Sequence, residues 1–309
     1  MNKWLIIGGS NIDIFGKSEK ELTKYDSNQG KVSMTYGGVG RNIAHNLRIL
    51  DQKISFMSAF SQDDFGKMLY QDCQRLKMDL KYSKVVNDYN TSIYLAILNG
   101  SNDMEVAIND MGIINVINID DIKEVLKDFN KDDLVIVDTN LDVEIIEYIL
   151  KNKNYLIAMD PISTNKIYKL KGLLKYIDIF KPNIYEALAI SDSDHLLDSA
   201  KNIIESGVKE LCITLNKDGV LYYDKGKVYQ MRVSENINVV NTTGAGDAFF
   251  ACYLYYRFRL DSIEEAVKYA LVYSIMTLEV QETVNEKIEK EVLINRVKRT
   301  FFIKEEKCI

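Results

Sequence analysis

The sequence predicts an α/β fold, in which a mostly parallel central sheet is covered by helices on both faces. Three observations predict it. Apolar runs of strand length alternate with amphipathic helical stretches through most of the chain, the pattern of parallel strands joined by helical crossovers. Several of those runs end in Gly, Pro or polar residues, Gly8-Gly9, Asp160-Pro161 and Lys181-Pro182 among them, at the strand ends where open sheets bind ligands. Finally, Asn241-Thr-Thr-Gly-Ala-Gly-Asp-Ala-Phe-Phe250 joins a glycine turn, a carboxylate and the start of an apolar helix.

Taken in order, residues 3–7 form a buried strand, with Asn11 and Asp13 following at its carboxyl end. The composition then turns polar, with turn residues over 24–30 and the alternating Val32, Met34 and Tyr36, which reads as a small β excursion. Gly37 to Asn42 opens a helix to about Leu50, with Ile43, Leu47 and Leu50 on one face and His45 as a packing or surface residue. Its glycine spacing is not GxGxxG. Gly16-Lys17-Ser18 imitates the end of a P-loop, but Asn11 stands where the leading glycine is required.

Residues 54–60 read as one strand, 65–76 as a helix, and 91–98 as a strand with 105–108 as its hairpin partner. Helix 122–129, strand 134–137, helix 143–150, strand 155–159, strand 177–180, helix 196–204 and strand 211–215 follow. A hairpin spans 220–233 across Asp224-Lys225-Gly226, a buried helix covers 248–254, and two amphipathic helices over 262–280 and 285–302 end the chain. The tail's Lys and Glu residues read as a solvated face. The two helix-free excursions, about 14–36 and 90–108, are expected to pair as a small β lid on a single domain spanning 1–309.

With 47% hydrophobic and 27% charged residues, the 309-residue chain has the composition of a globular protein. A net charge of −6 argues against coating nucleic acid or an anionic membrane, since either calls for a basic face. No stretch approaches the ~18 apolar residues of a membrane span. Cys73, Cys212, Cys252 and Cys308 are scattered without metal-ligand spacing, as expected for reduced thiols of a cytoplasmic protein.

The chemistry concentrates near the end of the sequence. Gly244 and Gly246 let successive backbone N–H groups converge on an anion, and the helix that follows points its positive end at the same place. Asp247, at the mouth, reads either as a base for an attacking hydroxyl or as a cap residue favourably placed against the helix dipole. Asn183 and Glu186, spaced i, i+3 at a helix start, read either as groups orienting hydrated Mg²⁺ on nucleotide phosphates or as an exposed pair.

In these residues the chain resembles the PfkB-type, ribokinase-like kinases of sugars and nucleosides. The matching segments are Asn11-Ile-Asp13, Gly37-Gly-Val-Gly-Arg-Asn42, Asp160-Pro161, Lys181-Pro-Asn-Ile-Tyr-Glu186, Thr214-Leu-Asn-Lys-Asp-Gly219 and Thr242-Thr-Gly-Ala-Gly-Asp247, in the family's order. Within the family it is most similar to the pseudouridine kinases, through residues 25–31, 37–44 and 106–111. The resemblance implies a Rossmann-like ribokinase fold with a β lid, and transfer of the ATP γ-phosphoryl group to a primary hydroxyl.

By matching position, Asp247 is the base, and Gly244, Ala245 and Gly246 form the anion hole. Asn11, Asp13, Gly38 and Asn42 hold the ribose. The resemblance implies that Asn183 and Glu186 would order Mg²⁺ through water, while Thr214, Asn216, Gly219, Thr243 and Ser274 would line the nucleotide side. Ser27, Asn28, Asn109, Asp110 and Lys166 lie in segments within reach of a base. Arg41 is either a substrate contact or a surface charge beside the sugar motif. Asn241 replaces an Asp common in the signature, near where relatives hold a monovalent cation, and leaves K⁺ activation open. A small exposed sheet leaves apolar surface and open edges, so a homodimer through the lid is expected. The same fold without catalysis, as a nucleoside sensor, is the alternative, and the intact Asp247 and glycine turn speak against it.

Overall fold

Trp4–Ile7 is an uninterrupted apolar run with every side chain buried. Burial on both sides places it inside the sheet, parallel to Ser55–Met57 on one flank and Leu134–Asp138 on the other. Leu156–Asp160, Ile179–Phe180 and Glu210–Thr214 extend the parallel set. Val220–Asp224, Lys227–Val233 and Phe302–Lys307 then continue it antiparallel, giving nine strands. The computed structural model describes residues 2–101 and 103–308. No described helix is long and apolar enough to cross a membrane. Cys73, Cys212 and Cys252 are buried free thiols and Cys308 is exposed.

Strand alternation divides the core into two layers. Trp4 and Ile6 join Phe56 and Leu134 beneath helices Val39–Ile49, Ala245–Arg257 and Ile263–Leu278. Leu5 and Ile7 face the opposite layer, with Val135 and Val137 beneath helices Ile119–Leu126, Val143–Lys151 and Leu196–Glu205. The carboxyl ends of the parallel strands therefore open between two helical layers, the position where such sheets bind ligands.

A second sheet of four strands stands at that end. Gly30–Gly37 pairs antiparallel with Asn11–Ser18, which pairs parallel with Ile93–Leu98, which pairs antiparallel with Met104–Asp110. The two helix-free excursions thus meet along 11–18 and 93–98. One face carries Val32, Met34, Ile14, Leu95, Ile97, Val106 and Ile108, and Val32, Val106 and Ile108 are 77%, 54% and 63% exposed.

Two expectations are corrected. Residues 54–60 are not one strand: the chain leaves the main sheet after Met57, and Ala59–Ser61 pairs with Lys84–Val86. The backbone N–H of Ser58 donates to Ser83 Oγ at 3.1 Å and its carbonyl accepts from Lys84 N at 2.9 Å, drawing the chain aside. The tail helix ends at Arg299, and Phe302–Lys307 is an edge strand on Lys227–Val233. Phe302 and Ile303 favour the strand, and the Lys and Glu residues read as a solvated face are the charges that blunt a sheet edge.

Candidate active site

The helix Ala245–Arg257 begins at Gly244, whose φ of +82° would strain any side chain. A Cβ there would also lie 2.0 Å from the carbonyl oxygen of Thr283. The first bond inside the helix runs from Ala248 N to Gly244 O at 2.9 Å. The amides of Ala245, Gly246 and Asp247 therefore have no acceptor within the helix and present donors, with the positive helix end, to the space above. Behind the turn, Ser274 Oγ donates to Ala245 O at 3.0 Å. Ser274, expected on the nucleotide side, holds the turn itself.

Asp247 Oδ2 accepts a hydrogen bond from Asn42 Nδ2 at 2.9 Å, so the helix after Gly38 and the helix after Gly244 meet at this carboxylate. Asp247 keeps part of its surface open. Burial of the carboxyl and repulsion from Asp160 push its pKa up to about 7, against the pull of Lys181 and Asn42. A carboxyl there changes charge near neutral pH, as a general base requires.

Beneath Gly246 lies Lys181, whose ammonium would be 3.2 Å from a Cβ on that glycine. Lys181 Nζ is ion-paired with Asp160 Oδ2 at 2.9 Å, both side chains buried. Burial works against the ammonium, but Asp160, Glu186 and Asp247 outweigh it and hold its pKa above the ordinary range. Glu186 is pushed up to about 7 by burial and by Asp160. Asn183 and Glu186 form a capping box, Glu186 N donating to Asn183 Oδ1 at 2.9 Å and Asn183 N to Glu186 Oε2 at 2.8 Å. The cap uses the Asn183 amide oxygen and one Glu186 oxygen. The other carboxylate oxygen is not used by the cap, and a cation near it would relieve the repulsion with Asp160, which fits an ion held largely through water.

The opposite wall is built around Asp13. Asn11 Nδ2 donates to Asp13 Oδ1, and a Cβ at Gly37 would strike the same carboxylate at 2.3 Å. Burial pushes Asp13 up to about 6. Gly38, at φ +98°, would place a Cβ 2.5 Å from Gly9 O, so only glycine lets the chain turn here. Asp138 accepts from Gly9 N at 2.8 Å and Gly40 N at 2.9 Å, pinning the two glycine turns together. Asn140 follows, its Oδ1 accepting from Lys166 Nζ at 2.5 Å. Arg41 is buried and is no surface charge: it pairs with Asp72 at 2.5 Å and donates to Tyr36 O and Asn42 Oδ1. His45 is buried, with Nε2 3.2 Å from Glu286 Oε1.

The remaining expected site residues spread from the tip of the small sheet to the turn just before Gly244. Ser27 and Asn28 lie in an exposed turn at the distal end of the small sheet, where Asn28 bonds Thr23 and Asp26. Asn109 and Asp110 end Met104–Asp110, in the rows of Tyr94 and Ile93. Thr214 bridges to Asn183, and Asn216 and Gly219 form the next turn. Thr243 N donates to Asn241 Oδ1 at 3.0 Å, and Asn241 Nδ2 donates to Gln281 O at 2.8 Å. Sequence reasoning assigned no role to the Lys181–Asp160 pair, Asp138 or Asn140. The signal was present, since all four stand at or just beyond the carboxyl ends of parallel strands.

The family model for pfkB family carbohydrate kinases matches residues 1–290. The chain is 35% identical over 253 residues to the pseudouridine kinase of Escherichia coli K12, covering 80% of this chain and 81% of that protein. It is 25% identical to the guanosine-inosine kinase of Exiguobacterium acetylicum, covering 87% and 91%. Its fold matches Arabidopsis thaliana ribokinase, solved with ribose and ATP, at a TM-score of 0.80 and 20% identity over 96% of this chain and 99% of that one. With a ribokinase-like fold and Asp247 set at the glycine-capped helix end, the chain belongs to the pfkB family of carbohydrate kinases.

Proposed function

We propose that the protein transfers the γ-phosphoryl group of ATP to the 5′-hydroxyl of pseudouridine. Membership of a kinase family implies ATP and a divalent metal; the acceptor is the inference. The observation that carries the chemistry is Asp247, a carboxylate raised to about 7 beside three amides without helical acceptors. Asp247 takes the 5′-hydroxyl proton as the new oxygen–phosphorus bond forms and the bond to the departing ADP oxygen breaks. The amides of Ala245, Gly246 and Asp247 and the helix end hold the charge that develops on the transferring group. Asn42 orients the base through its 2.9 Å bond. Mg²⁺, when bound, neutralises phosphate charge, and Glu186 is the buried carboxylate that would order it through water. Thr214, Asn216, Gly219 and Thr243 would line the nucleotide side.

Asp13, Asn11, Gly38 and Asn42 suit a ribose diol, a carboxylate accepting and an amide both accepting and donating. The likeness to the E. coli enzyme supports pseudouridine over other acceptors. Pseudouridine differs from uridine in its C-glycosidic bond and free N1–H, so a selective site needs an acceptor for that hydrogen. Asn109, whose amide oxygen can accept that hydrogen and which shares the row of Asp13, is a better candidate than Ser27 and Asn28 in their distal turn. Lys166, a donor only, would meet a base carbonyl instead, and Asp110 projects from the opposite face of its strand. We further propose that the small sheet is a lid whose apolar outer face pairs with that of a second copy, because Val32, Val106 and Ile108 stand open together. ADP release with Mg-ATP against pseudouridine, uridine, cytidine, adenosine and ribose tests the acceptor, and preference for another member of that panel would overturn it.

A further inference from the structure

The inner face of the small sheet carries a row that none of the motifs predicts. Strand register sets Thr35, Asp13, Tyr94 and Asn109 side by side across four strands, and register partners project from the same face. Phe15, two residues after Asp13, projects from this face too, and its ring meets that of Tyr94 edge-on with centroids 6.2 Å apart. The Tyr94 hydroxyl donates to Met104 Sδ at 3.4 Å, fixing the ring's direction along the strand. Both rings are only partly buried, although aromatic side chains on a sheet are ordinarily covered.

The row also has a length. Neighbouring strands are about 4.8 Å apart, so Asp13 and Asn109 are separated by about 10 Å with Tyr94 midway. That is the span of a nucleoside from its ribose diol to the far edge of its base. The row opens onto the site: a Cβ at Gly9 would meet Asn140 Nδ2 at 2.3 Å and Met111 Cε at 3.1 Å, so the chain leaving Asn109 lies over the glycine turn. A free sugar held at Asp13 would leave the aromatic pair and Asn109 without a partner.

Resting on the kinase reading above, we propose that Tyr94, braced by Phe15, is the platform for the planar ring of a nucleoside acceptor. Asp13 holds the diol on one side of it, and the Asn109 amide reads the edge of the base on the other. Tyr94 and Phe15 are therefore specificity-determining residues, and the site is built for an acceptor with a flat heterocycle.

The test compares wild type with Tyr94→Phe, Tyr94→Leu and Phe15→Ala, measuring kcat and KM by ADP release with pseudouridine, uridine and ribose. Circular dichroism verifies that each variant is folded, and Tyr94→Leu keeps apolar bulk if a smaller residue would loosen the sheet. Tyr94→Phe should keep the nucleoside KM. Tyr94→Leu should raise it by about 10-fold or more, with kcat little changed and any turnover of ribose unaffected. Equal nucleoside KM values in wild type and Tyr94→Leu would overturn the platform while leaving the kinase assignment intact. Turnover of ribose alone by the wild type would overturn the platform and the pseudouridine acceptor together, and a loss of kcat with ribose equal to that with pseudouridine would assign Tyr94 a merely structural part.

Discussion

The helix end at Gly244 and the small sheet at Asp13 are built on opposite plans. At the first, groups distant in sequence are bonded to one another: Asp247 to Asn42, Ser274 to Ala245, Lys181 to Asp160. At the second, Met104–Asp110 is exposed along its whole length and Gly30–Gly37 over most of it. Phosphoryl transfer needs charges held in place before the reaction starts. Recognition of an acceptor needs a surface that can close over it, and segments with little buried contact are those that move. On the proposed function, chemistry and acceptor choice are thus separable in this molecule, and substitutions in the two regions should change different constants.

The largest effects belong to the helix end. Asp247→Asn should retain acceptor binding while turnover falls by roughly 10²-fold or more; calorimetric titration beside an ADP-release assay checks both halves, and near-normal turnover would remove Asp247 as the base. Gly244→Ala should cost about 10²-fold in kcat, because the left-handed turn and the contact with Thr283 O displace the donors. A fully active, stable variant would show that the turn does not form the anion hole.

The pH dependence comes next in size. As the proposed base, Asp247 must be ionised to accept a proton, so kcat should rise with pH through about 7. Asp160→Asn removes the largest repulsion acting on it, and the acid limb of the profile should move to lower pH. The same shifts make a statement about stability. Asp247, Glu186 and Asp13 hold protons more tightly when folded than when unfolded. Their contribution is complete below the ordinary carboxylate range and is lost as pH rises through 6 to 7. Denaturant midpoints for wild type and Asp247→Asn should therefore converge at low pH and separate as pH rises, with wild type the less stable of the two.

Smaller effects are expected at the sheet. Val106→Arg on its outer face should convert a dimer to a monomer in light scattering with kcat largely retained, and a wild-type monomer at micromolar concentration would refute the pairing. The smallest concerns Asn241. Its amide already bridges Gln281 O and Thr243 N, so exchanging K⁺ for tetramethylammonium should leave turnover unchanged. A carboxylate has no hydrogen to give Gln281 O, so Asn241→Asp should become K⁺-dependent, and a wild type that requires K⁺ would contradict the bridge.

How much of this was legible in the sequence follows the same division. The glycine turn with Asp247 could be read because its parts are adjacent in the chain and each constrains the backbone by itself. The parallel strands could be read from continuous apolar runs such as Trp4–Ile7. The Asn183–Glu186 spacing was visible, but only the geometry shows both side chains capping their own helix. Arg41 looked equally like a surface charge, because its partner Asp72 lies 31 residues away on another helix. Asp13 and Asn109 were both picked out from the sequence, but their alignment on either side of Tyr94 was invisible, since it exists only in the register between strands. Phe302–Lys307 was missed because its charges mask a strand whose partner lies some 70 residues earlier in the chain.

The most direct test of the central claim is to incubate wild type and Asp247→Asn with Mg-ATP and pseudouridine, and to identify the product by mass and by the position of the phosphate in NMR. The account predicts pseudouridine 5′-phosphate in step with ADP from the wild type, and a rate lower by roughly 10²-fold or more from the variant. Phosphate on another hydroxyl, no phosphorylated pseudouridine, or equal rates from the two proteins would contradict it.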